Sequence, residues 1–320
     1  MAAPDAFVPV AITRRSGVDE SVHFGAVVAL AFSGDIALAV GDPDVDIYPR
    51  SCNKPLQAVA MARAGLRLPP ELLALVCASH DGTPKHLAGV RRILATAGLD
   101  ESALANTPDL PLDESAAEAV LRAGGSRTSL QMDCSGKHSG MLVTSAVKGW
   151  PTDARYLEPD HPLQRRITDD IDDLTGEQHA HIGVDGCGAP AHVFSLLGLA
   201  RAYRAIATGA AGAAGNAVYE SMTAHPELVG GQHRDVTKFM RDVPGLMAKD
   251  GAEGVFAAAM PDGRAVALKI ADGASRPCAP VLVAALRAIG IDTTEVDRHV
   301  VRPVMGHGNR VGEVRAALAP

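Results

Sequence analysis

Strand-like apolar stretches closed by tight turns stand near both ends of this 320-residue chain and are scarce between them. Near the start, residues 24–32 and 36–40 flank Ser33-Gly34-Asp35. Near the end, residues 255–260 and 264–270 alternate around Pro261-Asp262-Gly263, and an Asp-Gly pair is a strong hairpin signal. Residues 310–317 offer one more strand. The middle reads instead as helices with 3.6-residue spacing, at 86–97, 114–123, 163–174 and 193–205, separated by polar loops at 132–140 and 183–190. Residues 72–78 read as a short buried strand or a helical turn, and 207–217 as a loop or a helix start. This layout predicts an α+β chain, one antiparallel sheet built from both chain ends with the middle inserted. The sheet part covers about 1–66 plus 245–320 and the helical and loop part about 67–244.

A second feature bears on chemistry. In Tyr48-Pro49-Arg50-Ser51-Cys52-Asn53-Lys54-Pro55-Leu56-Gln57, a serine stands three residues before a lysine where the chain passes from strand to helix. Pro55 favours the first helical position and disfavours helical geometry just before it, so Ser51–Lys54 is expected in a tighter turn. At a helix N-terminus the dipole disfavours a charged ammonium, and free N–H groups can meet an oxyanion. A neutral lysine can take the serine proton. A serine that merely caps the helix beside a solvated lysine gives the same tetrapeptide, so neighbouring motifs must decide.

Hydrophobic residues make up 47% and charged residues 21% of the chain, and no apolar run approaches the ~20 residues a membrane helix needs. A net charge of −7 without a basic, aromatic-interleaved stripe argues against nucleic acid and for a small neutral or zwitterionic ligand. Cys52, Cys77, Cys134, Cys187 and Cys278 are an odd, scattered set with no export signal before them, so free thiols or a metal site are expected in a cytoplasmic protein.

Five blocks then occur in one order across most of the chain: Arg50-Ser51-x-x-Lys54-Pro55-x-Gln57, Ala78-Ser79-His80, Cys134-Ser135-Gly136-Lys137-His138-Ser139-Gly140-Met141, Asp185-Gly186-Cys187-Gly188-Ala189-Pro190, and Lys249-x-Gly251-Ala252-Glu253-Gly254. Together they resemble the asparaginase II family of the Rhizobium-etli type. The resemblance implies hydrolysis of L-asparagine to L-aspartate and ammonia, a glutaminase and serine β-lactamase-like fold in a single catalytic unit, a homodimer, and a zinc ion by the active site. It places two serine–lysine pairs, Ser51 with Lys54 and Ser79 with Lys249, and zinc on Cys134, Lys137 and Cys187, with Asp185 beside the site. Lys249-Asp250-Gly251 stands where β-lactamases carry Lys-[Thr/Ser]-Gly, but its middle residue differs and Ser-Asp-Asn is missing, which argues against a β-lactamase proper.

Residue chemistry makes these roles reasonable and leaves choices open. Two lysines in one pocket depress each other's protonation. Ser51 is the expected attacking group with Lys54 as base, and Ser79 with Lys249 a relay, or the serines exchange roles. Arg50 suits a substrate carboxylate and Asp185 its ammonium, with His80 a further substrate contact. By residue type alone Cys134, His138 and Cys187 would hold a metal, with Lys137 an unusual ligand that must lose its proton. Two other readings compete: a Cys187 nucleophile with His80 or His138 as base on another linear amide, or a non-catalytic zinc or amino-acid binding module.

Overall fold

In the computed structural model, which describes residues 4–318, both chain ends do enter one sheet. Its strands are β1 (Val8–Arg15), β2 (Val18–Leu30) and β3 (Ile36–Val40) from the start. After the short β4 (Asp46–Ile47), β5 (His181–Val184) and β6 (Pro190–Ser195), which form a separate three-stranded sheet, the remainder follow. These are β7 (Met247–Gly251), β8 (Val255–Ala259), β9 (Ala265–Ile270), β10 (Pro303–Gly306) and β11 (Asn309–Ala316). The order is β10-β11-β1-β2-β9-β8-β7, with β3 also on β2, and every pairing is antiparallel.

The ends are joined twice, β1 with β11 and β2 with β9, and in the second of these Gly25 faces Ile270 and Leu30 faces Ala265. A Cβ at Gly25 would lie 2.5 Å from the Lys269 carbonyl, so glycine permits that close approach. β8 and β9 are buried on nearly every residue, unlike the half-exposed β2. Such continuous burial needs cover on both faces, and the helices Leu196–Ala207 and Cys278–Ala288 both pack on β9. Tyr203, fully buried on the first of them, donates to the Cys52 carbonyl at 2.9 Å and so fixes the Ser51 turn against the sheet's cover.

Several local expectations change. Residues 132–140 are only partly a loop, because the helix Ser135–Lys148 begins inside the motif. Its polar residues are buried against helix Pro70–Val76, the helical one of the two alternatives for residues 72–78. The loop at 183–190 is the turn between β5 and β6, so a strand precedes the helix that starts at Leu196. Residues 207–217 become a turn and the start of helix Gly212–Ala224. Lys249 sits within β7, and β1 and β10 carry pairings that the turn and periodicity signals did not reveal. Among the described residues no helix is long and apolar enough to cross a membrane.

Candidate active site

Three segments bring the motifs together. The first is the 3₁₀ turn Arg50–Asn53, which runs into the helix Lys54–Arg63 with Pro55 in its first turn. Arg50 opens this turn at φ 52°, a left-handed conformation that costs a non-glycine residue energy and places Ser51 at the head of the helix. The second is the chain leaving helix Pro70–Val76, carrying Ser79. It is pressed against helix Ser135–Lys148, since a Cβ on Gly136 would stand 2.2 Å from the Leu75 carbonyl. The third is β7, lying against the first turn. A Cβ on Gly251 would come within 2.7 Å of the Pro49 carbonyl, and the Cys52 thiol donates to the Lys249 carbonyl at 3.1 Å.

Between them lies a cavity of about 340 Å³ onto which Ser51 and Ser79 both open, together with Arg50, Asp133, Asp185, Arg234 and Asp250. The lysines stand behind this wall, Lys54 2% exposed and Lys249 fully buried. Lys54 Nζ donates to the Ala78 carbonyl at 2.6 Å, to Ser79 Oγ at 2.9 Å and to Asp133 Oδ2 at 3.3 Å. Lys249 Nζ donates to the Asp250 carbonyl at 2.7 Å and to Asp250 Oδ1 at 2.6 Å.

The expected pairing is therefore redistributed. Lys54 reaches Ser79 across the cavity wall rather than its own neighbour Ser51, because its side chain runs from the helix head towards the Ala78-Ser79 segment. The electrostatics divide the lysines as well. Burial lowers Lys249, and Lys54 and Arg234 add to that, so it lies below the usual lysine range despite Asp250. Burial also works to lower Lys54, but the negative charge beside it, on the Cys134–Cys187 thiol pair and on Asp133, outweighs that and holds the ammonium above its ordinary value. A neutral Lys54 was the expectation; in this arrangement Lys249 is the lysine more ready to accept a proton.

Arg50 and Asp185 meet at the cavity rim, where Nε and Nη2 of the arginine donate to one carboxylate oxygen at 3.0 and 2.7 Å. His80 lies elsewhere. It is fully buried, accepts from the Gly82 N–H at Nδ1 (3.1 Å) and so donates through Nε2 to Ser135 Oγ at 2.8 Å. With both nitrogens occupied it neither faces a substrate nor serves Cys187 as base. Its role is to tie the Ser79 loop to the head of helix Ser135–Lys148.

Cys134, Lys137 and Cys187 converge at the cavity floor. Lys137 Nζ is 3.1 Å from Cys187 Sγ. The Cys134 thiol donates to Asp133 Oδ1 at 3.5 Å; its contact with Cys187 and its burial raise Cys134, while Cys134 and Lys137 lower Cys187, leaving the latter as the thiolate. His138 is turned away by one nitrogen, its Nδ1 bonded to Tyr156 Oη at 2.9 Å, while its buried Nε2 has no partner. Among the described residues no three His, Cys, Asp or Glu side chains gather tightly enough to hold a metal, so Cys134, His138 and Cys187 are not a ready-made set. The chemistry of two thiols and an amine nonetheless suits a soft-accepting divalent ion.

Asp133, Arg234 and Asp250 belong to this wall and carried no signal of their own. Asp133 directly precedes a motif, Asp250 occupies the position where the β-lactamase pattern is broken, and Arg234 sits in no motif at all.

Two solved structures illustrate how far structural similarity extends. Mglu in its native form aligns with a TM-score of 0.46 at 15% identity, covering 89% of this chain and 66% of that longer one. A chain described as a probable glutaminase, ybaS, aligns with a TM-score of 0.47 at 14% identity, covering 85% and 87%. Among curated protein sequences no match is found. The family described as L-asparaginase II matches residues 11–316, a span that includes all three segments of the cavity wall, and the chain belongs to that family.

Proposed function

We propose that this protein is an amidohydrolase that converts L-asparagine to L-aspartate and ammonia through a serine nucleophile. The observation that carries the reading is the convergence of two serines on one cavity backed by two buried lysines. Ser51 is the attacking group. No hydrogen bond occupies its hydroxyl among the described residues, and it stands at a helix head whose N–H groups favour a developing oxyanion. Its proton passes to Lys249, directly or through the Ser79 hydroxyl, and returns to the leaving ammonia. Ser79 relays because its hydroxyl is already held by Lys54 at 2.9 Å.

Substrate orientation comes from Arg50 and Asp185. Side by side at the rim, the guanidinium and carboxylate complement the α-carboxylate and α-ammonium of a zwitterionic amino acid. Ammonia release from L-asparagine tests the whole reading: we expect turnover by the wild-type protein and a KM raised roughly 10- to 100-fold in Arg50→Ala, the loss of one charge-assisted contact of about 1.5–3 kcal/mol. Absence of ammonia release at any asparagine concentration removes the proposal. The resemblance also implies a homodimer, which we include in it.

Zinc is part of the proposal, held by Cys134, Lys137 and Cys187. The amine would bind in its neutral form, which requires the loss of the Lys137 proton that the neighbouring Cys187 thiolate now stabilises. When bound, such an ion acts as a Lewis acid or stabilises the charge of a nearby oxygen. Protein prepared with zinc should retain about one equivalent per chain after dialysis, measured by elemental analysis, and Cys187→Ser should retain far less. Equal metal content in both would remove these ligands from the assignment.

A further inference from the structure

Arg234 lies outside every sequence motif, yet it joins the two halves of the cavity wall. It is the residue just ahead of helix Asp235–Asp242, with extended backbone at φ −76° and ψ 152°. Its Nη1 donates to the Ser79 carbonyl at 2.7 Å, and its Nη2 is bonded to Asp250 Oδ2. The other oxygen of that carboxylate accepts from Lys249 at 2.6 Å. Asp81 flanks the guanidinium at 3.9 Å. The approach depends on Gly231, where a Cβ would fall 1.7 Å from Asp81 Oδ2.

We infer that Arg234 is a positioning residue of the amide hydrolysis, holding one oxygen of Asp250 so that this carboxylate cannot fully claim Lys249, whose amine is thereby left as the proton acceptor. The inference rests on the reading of the preceding subsection. Its basis is a charge balance around a fully buried amine. From β7 Lys249 feels Asp250, from the helix head Lys54, from the chain before helix Asp235–Asp242 Arg234, and from the segment before helix Ser135–Lys148 Asp133. The thiols of Cys52 and Cys77 complete its surroundings, and burial keeps both protonated. Two carboxylates thus face two cations before the proton on Lys249 is counted. Removing the guanidinium leaves the carboxylates in excess, and the cheapest compensation in a dry site is a proton on Lys249.

The bidentate reach matters as much as the charge. A guanidinium spans Ser79 and Asp250 at once, which fixes the serine-bearing loop relative to β7. A lysine at 234 keeps the charge and can satisfy only one of them.

The test compares wild type with Arg234→Gln, Arg234→Lys and Asp250→Asn, each checked for folding by circular dichroism. Two readouts are taken: the pH profile of kcat/KM on L-asparagine, and the titration of the Lys249 Cε carbon in protein labelled with 13C-lysine, assigned by its loss in Lys249→Met. A base must be neutral to act, so a higher Lys249 pKa moves the acid limb of the profile to higher pH. Arg234→Gln should move limb and titration upward together by about one pH unit. Arg234→Lys should move them less than half as far while kcat falls. Asp250→Asn should move them downward. If Arg234→Gln is inactive but leaves the Lys249 titration where it was, or if Arg234→Lys matches wild type in kcat, Arg234 is only a structural brace and the inference is wrong. Should wild type release no ammonia from asparagine, the proposed function fails, while the Lys249 titration in the same variants still decides whether Arg234 governs that amine.

Discussion

Ser51→Ala should lower kcat/KM on L-asparagine by roughly 10³-fold or more, because the proposed acyl-enzyme bond is made to the hydroxyl that this change removes. Ser79→Ala should fall by roughly 10²-fold, the cost of losing a proton relay with the nucleophile still present. The two are separated by intact-protein mass after acid quench during turnover: Ser79→Ala should show an aspartyl adduct on the chain and Ser51→Ala none. An adduct that persists in Ser51→Ala and vanishes in Ser79→Ala would exchange the roles, and one on Cys187 would make the thiolate the nucleophile. The prediction has structural weight because the hydroxyls differ in partner, Ser79 being held by Lys54 and Ser51 by nothing among the described residues.

Lys249→Met should lower kcat by roughly 10²- to 10⁴-fold, the range spanned by a positioned general base. The fold should survive, since methionine fills a comparable volume and Asp250 keeps Arg234 as a charged partner. In the wild type, burial holds Lys249 below the ordinary lysine range, so the neutral amine fraction, and with it kcat/KM, rises as pH increases through that lowered value. In Lys249→Met this rising limb should disappear from the residual activity. Retention of the same limb, measured by ammonia release across the pH range, would assign it to Lys54 or to Asp81, whose carboxyl burial raises to about 6.

Legibility in the sequence followed locality. The hairpins at 24–40 and 255–270, the helix after Pro55 and the helices near 86–97, 114–123 and 163–174 were readable because turn chemistry and apolar period act over a few residues. β7 was not, because Met247–Gly251 is too short to show alternation and its lysine resembles a surface residue until burial is known. Helix Ser135–Lys148 was hidden for a related reason. Its first turn is polar, and those polar groups are buried by a glycine contact with Leu75 that no local pattern encodes. In the cavity, Ser51, Ser79, both lysines, Arg50, Asp185 and the two cysteines could be found through motif order. The partner of each could not. That Lys54 answers to Ser79, that Asp250 is shared, and that His80 spends both nitrogens internally are facts of packing across distant segments.

The seam between β2 and β9 also dictates when the protein becomes competent. During synthesis the Ser51 and Ser79 segments leave the ribosome long before β7 and β9, so the strand ending at Leu30 must wait for the one beginning at Ala265. Bringing such remote partners together is entropically slow. Until it happens β7, which reaches β2 only through β8 and β9, has no sheet to stand in, so Lys249 takes its place beside the Ser51 turn only late in folding.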